Sequence, residues 1–300
     1  MTQIGRVGVV GAGLMGHGIA QVSAQGGYDV VLLDADAAAL EKGLASVEKL
    51  LARAVEKGKL DAQDAAATRA RIMGTTEHAG LADCDLVIEA IVERIEPKVA
   101  LWGQLDAAVK PEAIFATNTS SLSVVEQAAA SGRPDRFIGL HFFNPAQVMQ
   151  LVEVIRAITS SEEAVALGTQ YVERIGKTPV QTKDRAGFIV NRLLIPFLVD
   201  AVRGYEEGIG SIADIDAALR LGAGHPMGPL TLADFVGLDT LFGAAEGMFA
   251  EFRDPRLAPP SLLHKMRSAG WYGKKSGLGF YDWTGEKPVP NPGIDALRRV

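Results

Sequence analysis

An apolar run, Val7-Gly8-Val9-Val10, breaks directly into Gly11-x-Gly13-x-x-Gly16, and few features leave a chain less choice of fold. The run reads as a buried strand, and the glycines as a turn that opens a helix. Gly11 permits the tight turn, Gly13 lets a phosphate approach the backbone, and Gly16 lets helix and strand pack closely. The helix N-terminus then offers free N–H groups and the positive end of the helix dipole to an anion. Asp34 ends the next strand 18 residues after Gly16. A carboxylate there can accept hydrogen bonds from both ribose hydroxyls and repel a 2′-phosphate. Neither Ala35 nor Asp36 offers a compensating positive charge. The cofactor expected is NAD rather than NADP, with Gly11, Gly13, Leu14, Met15, Gly16 and Asp34 at its contact points.

The rest of the first two-thirds alternates short apolar runs with helical stretches. Residues 4–10, 30–33, 86–88, 114–117 and 137–141 read as buried strands of a parallel sheet, without polar alternation because helices cover both faces. Residues 14–25, 37–57, 61–70, 97–109 and 124–130 read as the helices between them. Near Pro145 the pattern changes, with strands expected at 149–155 and 178–181 around a helix at 162–175. Beyond Lys183-Asp184-Arg185, helices are expected at 188–206, 212–221 and 231–249, and a punctuated loop at 222–228. The expected fold is α/β: a Rossmann-type, doubly wound, mostly parallel sheet over 1–184, followed by a smaller all-helical domain over 185–300. The Pro-rich stretch 288–292 is expected to be loosely held.

Composition narrows the function class. With 48% hydrophobic and 22% charged residues the chain can bury a sizeable core, and its net charge of -6 argues against non-specific attraction to nucleic acid. The single cysteine, Cys84, cannot form an intramolecular disulfide. It reads as a packing residue, with a reactive thiol as the alternative. No signal peptide and no charge-free apolar window of about 20 residues is visible, so a reducing cytoplasmic setting without membrane or metal is expected.

An enzyme oxidising an alcohol by hydride transfer needs a base for the hydroxyl proton, donors for the oxygen and a neighbour that fixes the base. In an open α/β sheet these belong at the carboxyl ends of strands. Two segments qualify: Asn118-Thr119-Ser120-Ser121 and His141, the latter backed by Phe142-Phe143. A lone His in apolar surroundings is usually a satisfied core residue. Glu153, embedded in Leu151-Val152-Glu153-Val154-Ile155, alters that balance because a carboxylate there needs a partner. Its strand begins a short turn after His141 and can return alongside. A His–Glu pair would set the imidazole tautomer and stabilise the imidazolium. The alternative is an ion pair of Glu153 with Arg156 or Arg174.

Here the chain resembles the L-3-hydroxyacyl-CoA dehydrogenase family, closely its short-chain 3-hydroxybutyryl-CoA members, from about residue 4 to residue 283. The resemblance is carried by Gly-Ala-Gly-Leu-Met-Gly (11–16), Asp-Leu-Val-Ile-Glu-Ala (85–90) and Thr-Asn-Thr-Ser-Ser-Leu-Ser (117–123). It continues in Gly-Leu-His-Phe-Phe-Asn-Pro (139–145), Leu-Val-Glu-Val-Ile (151–155) and Gly-Phe-Ile-Val-Asn-Arg (187–192). His-Pro-Met-Gly-Pro (225–229) and Gly-Lys-Lys-Ser-Gly-Leu-Gly-Phe-Tyr (273–281) complete it. It implies His141 as base, Glu153 as its orienting partner, and Ser120 and Asn191 as donors to the reacting substrate. It also implies Glu93, Lys98, Ser120, Asn144 and Lys275 near NAD, an active site between two domains, and a homodimer. From the residues alone, Asn191 could equally begin or punctuate a helix.

Coenzyme A carries several phosphates, so an acidic protein must supply local positive charge. Lys49, Arg53 and Lys57 fall at i, i+4 and i+8 on one helix face. Lys49 and Arg53 are the expected CoA contacts, with a solvated helix face as the alternative. Rival functions are a dehydrogenase of a free hydroxy or sugar acid and a non-catalytic NAD-binding protein.

Overall fold

Short strands, apolar in the middle of the sheet where helices cover both faces, assemble into one eight-stranded sheet. In chain order they are β1 (Arg6–Val10), β2 (Asp29–Leu33), β3 (Ile72–Thr75), β4 (Leu86–Glu89), β5 (Ile114–Thr117), β6 (Phe137–Phe142), β7 (Leu151–Arg156) and β8 (Thr178–Lys183). The computed structural model describes residues 4–298. The sheet runs β3-β2-β1-β4-β5-β6-β7-β8. The first six strands are parallel, β7 is antiparallel to β6, and β8 is again parallel to β7. The reversal at β7 has a simple cause. The segment between β6 and β7 is too short for the helical crossover that parallel strands require. The doubly wound, mostly parallel sheet expected from sequence is what forms.

Helices α1 (Leu14–Gln25), α2 (Ala37–Glu56), α3 (Ala62–Ala70), α4 (Ile95–Ala108), α5 (Val124–Ala130) and α6 (Glu162–Arg174) link the strands. Successive strand residues feed two separate cores, Val30 and Leu32 into one and Val31 and Leu33 into the other. Trp102 of α4, fully buried, sets its ring edge-on to Phe137 at 4.7 Å in the second core. Asp36 starts α2 by accepting the Ala38 N–H at 2.9 Å. Along α2, Leu40, Gly43, Val47 and Leu51 form the buried face. Gly43 abuts the glycine turn, since a Cβ there would lie 2.6 Å from the Ala12 carbonyl oxygen.

The chain divides into two compact units between Phe188 and Ile189. The first extends a few residues past 184 because Asp184 accepts the Val124 and Val125 N–H groups at 3.1 and 2.7 Å. The second unit contains α7 (Val190–Glu207), α8 (Ile212–Gly222), α9 (Pro229–Val236), α10 (Leu238–Phe252), α11 (Ser261–Ser268) and α12 (Ile294–Arg298). A short hairpin, β9 (Tyr281–Asp282) with β10 (Val289–Pro290), completes it. Two buried carboxylates tie its C-terminal segment down. Asp234 accepts from the Phe280 and Tyr281 N–H groups and the Trp283 indole, each at 2.9 Å. Asp216 accepts from the Leu230 N–H at 2.7 Å and the Tyr281 hydroxyl at 2.8 Å.

Three expectations change. The single helix read over 231–249 is two helices, because Gly237 takes a φ of 95°, a conformation suited to glycine that ends the helical ladder. Strand β3 was not anticipated. It is an edge strand of four residues whose Met73 is 59% exposed. The stretch 288–292 is held: it pairs in the hairpin, and buried Asn291 donates to the Gly279 carbonyl at 2.9 Å.

Candidate active site

Parallel order brings the carboxyl ends of β1, β2, β4, β5 and β6 to one edge, and the candidate residues of the first unit gather there. After β1, Gly11 turns with a φ of 97° and donates its N–H to the Leu33 carbonyl at 2.7 Å. A Cβ on Gly16 would lie 1.6 Å from the Gly11 carbonyl oxygen, so only glycine fits. Gly13 differs: it is exposed and has no atom within 4 Å of where a Cβ would stand. That open space, over an α1 N-terminus without a side-chain cap or first-turn acid, fits a pyrophosphate. Leu14 is exposed beside it and Met15 is half-buried against the core.

Asp34 is held by the turn that it serves. Its carboxylate accepts the Ala12 N–H at 2.8 Å and the Asp36 N–H at 3.0 Å. It also lines a cleft of about 350 Å³, whose walls include Val10, Leu33, Ile91, Pro97 and Leu101. A mainly apolar cleft with a carboxylate among its walls suits an adenosine.

Past β4 and β5 lies a cluster that sequence reasoning reached only in part. Glu89, fully buried at the end of β4, accepts from the Lys98 ammonium at 2.7 and 2.9 Å, from the Thr117 hydroxyl at 2.7 Å and from the Ile91 N–H at 2.7 Å. Lys98 turns its remaining proton to Glu93 at 3.1 Å. Glu93 in turn accepts from the Thr119 hydroxyl at 2.6 Å and the Ser120 N–H at 2.8 Å. Lys98 was expected beside NAD. It has no surface exposed, and its ammonium meets Glu89 and Glu93. Burial by itself would raise the Glu93 pKa, but the Lys98 charge and the Thr119 and Ser120 hydrogen bonds outweigh it and hold the carboxyl below its usual range. Ser120 is thus presented, exposed, by a loop anchored at its own backbone.

His141 and Glu153 are direct cross-strand partners on β6 and β7. His141 Nδ1 lies 2.7 Å from Glu153 Oε2, with the imidazole 5% exposed and the glutamate fully buried. A carboxylate at Nδ1 favours the tautomer with its proton there, leaving Nε2 as the acceptor. Phe143 and Phe188 flank the ring at centroid distances of 4.5 and 5.6 Å. Phe188 reaches this place from a φ of 49°, uncommon for a bulky residue. The rival partners of Glu153 are engaged elsewhere: Arg156 pairs with Glu162, and Arg174 lies over the Tyr28 ring at 4.3 Å. Asn118 joins β5 to β6 by accepting the Phe142 N–H at 2.9 Å. Asn144 follows, exposed, before a cis peptide bond to Pro145.

Two site candidates belong to the second unit. Asn191 is the second residue of α7, and Lys275 pairs with Asp239 at 2.7 Å. On α2, Lys49 and Arg53 are exposed, while the adjacent acid, Glu48, turns to Arg69 at 2.8 Å. The Cys84 thiol is buried in the core, which pushes its pKa up to about 12 and makes it a packing residue. Sequence reasoning did not single out Glu89, Thr119 or Phe188. For Glu89 the signal was available, since it closes an apolar run much as Glu153 interrupts one.

A dinucleotide cradle and a proton acceptor on one sheet edge serve a common purpose, that of a nicotinamide-dependent dehydrogenase. Known proteins narrow the class. Residues 6–185 match the family described as 3-hydroxyacyl-CoA dehydrogenase, NAD binding domain, and residues 187–283 match its C-terminal domain. The chain therefore belongs to the 3-hydroxyacyl-CoA dehydrogenase family, and its cofactor is NAD. A 3-hydroxybutyryl-CoA dehydrogenase of Bradyrhizobium diazoefficiens is 46% identical, over 96% of this chain and 98% of the relative. A probable 3-hydroxybutyryl-CoA dehydrogenase of Deinococcus radiodurans is 49% identical, over 93% of this chain and the whole relative. The crystal structure of (S)-3-hydroxybutyryl-CoA dehydrogenase from Ralstonia eutropha superposes with a TM-score of 0.93 at 43% identity, covering 94% of this chain and all of that one. Among the described residues, no helix is long and apolar enough to cross a membrane.

Proposed function

We propose that this protein catalyses the reversible, NAD-dependent oxidation of an L-3-hydroxyacyl-CoA of short chain, 3-hydroxybutyryl-CoA, to the 3-ketoacyl-CoA. The observation that carries the reading is the buried His141–Glu153 pair on the cofactor edge. Neutral His141 accepts the hydroxyl proton at Nε2, and Glu153 stabilises the imidazolium that results. In reduction, the imidazolium returns the proton to the developing alkoxide. NAD, when bound, would accept the hydride that leaves C3 of the substrate. The glycine turn and Asp34 would hold its pyrophosphate and adenosine ribose, and Glu93, Asn144 and Lys275 its nicotinamide half. Ser120 and Asn191 hold the reacting oxygen and the thioester, converting an encounter into an aligned reaction. Phe143 and Phe188 keep water from the imidazole.

The same reading assigns most of the NAD contacts to residues 1–184, and further substrate contacts and the dimer contacts to residues 185–300, in a cytoplasmic homodimer. Lys49 and Arg53, unneutralised by Glu48, would receive the CoA phosphates. Initial rates with 3-ketoacyl-CoA substrates of increasing length, with NADH and NADPH in parallel, test the proposal. The expected result is strong NADH oxidation with acetoacetyl-CoA and little with NADPH. Tight NAD binding without turnover of any acyl-CoA would refute it.

A further inference from the structure

We propose that the Glu93 carboxylate discriminates between the two redox states of the cofactor, binding the positively charged oxidised nicotinamide in preference to the neutral reduced ring. The inference rests on the NAD-dependent dehydrogenase reading and adds a charge selectivity to it. Two carboxylates share one ammonium, and that ammonium sits closer to Glu89, at 2.7 and 2.9 Å, than to Glu93, at 3.1 Å. Glu89 and Lys98 are sealed from solvent, so the uncompensated negative charge resides on Glu93, whose side chain is 39% exposed. The neighbouring Arg94 does not cancel it, since its guanidinium extends to Glu96 at 3.7 Å. Lys98, the Thr119 hydroxyl and the Ser120 N–H keep Glu93 ionised at neutral pH.

Position follows from the sheet. On the dehydrogenase reading, Asp34 after β2, which accepts the Ala12 N–H at 2.8 Å, would hold the adenosine end, and the uncapped α1 N-terminus after β1 the pyrophosphate. A dinucleotide crossing that edge continues over the ends of β4 and β5, where Glu93 and Ser120 stand. Oxidised and reduced cofactor differ there by one positive charge on the ring. A partly exposed carboxylate beside that charge is worth roughly tenfold in relative affinity once solvent screening is allowed for. The solution equilibrium of the reaction is untouched by such a preference. What changes is the division between directions: oxidised cofactor is captured at lower concentration and released more slowly after a ketone is reduced.

The test is direct binding without acyl-CoA, by titration calorimetry for NAD⁺ and by nucleotide fluorescence for NADH. In Glu93→Gln the ratio of Kd(NADH) to Kd(NAD⁺) should fall by about tenfold, chiefly through weaker NAD⁺ binding. Glu93→Asp keeps the charge but withdraws it from the Ser120 N–H, so both cofactors should bind more weakly with the ratio held. Equal weakening of both cofactors in Glu93→Gln, or an unchanged ratio, would overturn the proposal and leave Glu93 as a loop anchor. Failure of the wild-type protein to bind either nucleotide would instead refute the dehydrogenase reading beneath it.

Discussion

Replacing Glu153 by Gln tests the proposed chemistry at its least ambiguous point. The exchange conserves shape and removes one charge, 2.7 Å from His141 Nδ1 at a site closed to solvent. During proton abstraction the imidazole becomes a cation facing that charge. A unit pair about 4 Å apart is worth about 4 kcal/mol at an effective dielectric constant near 20. A neutral hydrogen bond to the amide recovers about 1 kcal/mol of this. The net loss, about 3 kcal/mol, corresponds to a fall in kcat on the order of 10². If the amide donates to Nδ1 it also imposes the wrong tautomer, and the loss should approach the roughly 10⁴ seen when the orienting acid of a serine protease triad is neutralised. The assay is NADH consumption with acetoacetyl-CoA, paired with direct NADH binding. Turnover should fall while NADH affinity stays close to wild type. Adding Glu153→Gln to His141→Ala should cost little beyond His141→Ala alone, because the two residues act as a unit. A kcat within about threefold of wild type for Glu153→Gln would refute the reasoning, since no charge effect of the size worked out above could then exist.

Gly16→Ala would place a methyl 1.6 Å from the Gly11 carbonyl oxygen, so NADH affinity should fall by at least about tenfold and the melting temperature should drop; titration and calorimetry would register both. Lys49→Glu with Arg53→Glu should raise KM for acetoacetyl-CoA by about tenfold or more, and the penalty should vanish with a pantetheine thioester that lacks the nucleotide. Burial raises the Asp234 pKa to about 6 from 3.8. The folded state therefore holds that proton more tightly than the unfolded state, and the stability this contributes is present below about pH 4 and lost as pH rises through about 6. Asp234→Asn should accordingly cost more stability at low pH than at pH well above that window, as denaturant midpoints would show.

What could be read from sequence follows a physical division. Gly11, Gly16 and Asp34 are legible because a turn, a close approach and a strand end are local demands, met within one βαβ unit. The His141–Glu153 pair is legible because its strands adjoin in sequence and an isolated carboxylate in an apolar run needs a partner. Lys98 is different. Its partners Glu89 and Glu93 lie nearby along the chain, but its burial, and the link through Glu93 to Ser120, depend on β4 and β5 lying side by side. The break at Gly237 was hidden because the apolar pattern continues across it, and one residue of positive φ leaves no mark on a periodicity.

By itself, then, the sequence determined the kind of sheet, the nucleotide at its edge and the residue types available for chemistry, because each depends on backbone conformation or periodicity within a short stretch. The tertiary structure decided which of those residues touch. It sealed Lys98 beneath Glu93 rather than at the surface and set Phe188 against His141. It also made Glu89 and Glu93 share the one Lys98 ammonium, because which side chains meet beneath the surface depends on how separate strands and loops pack together.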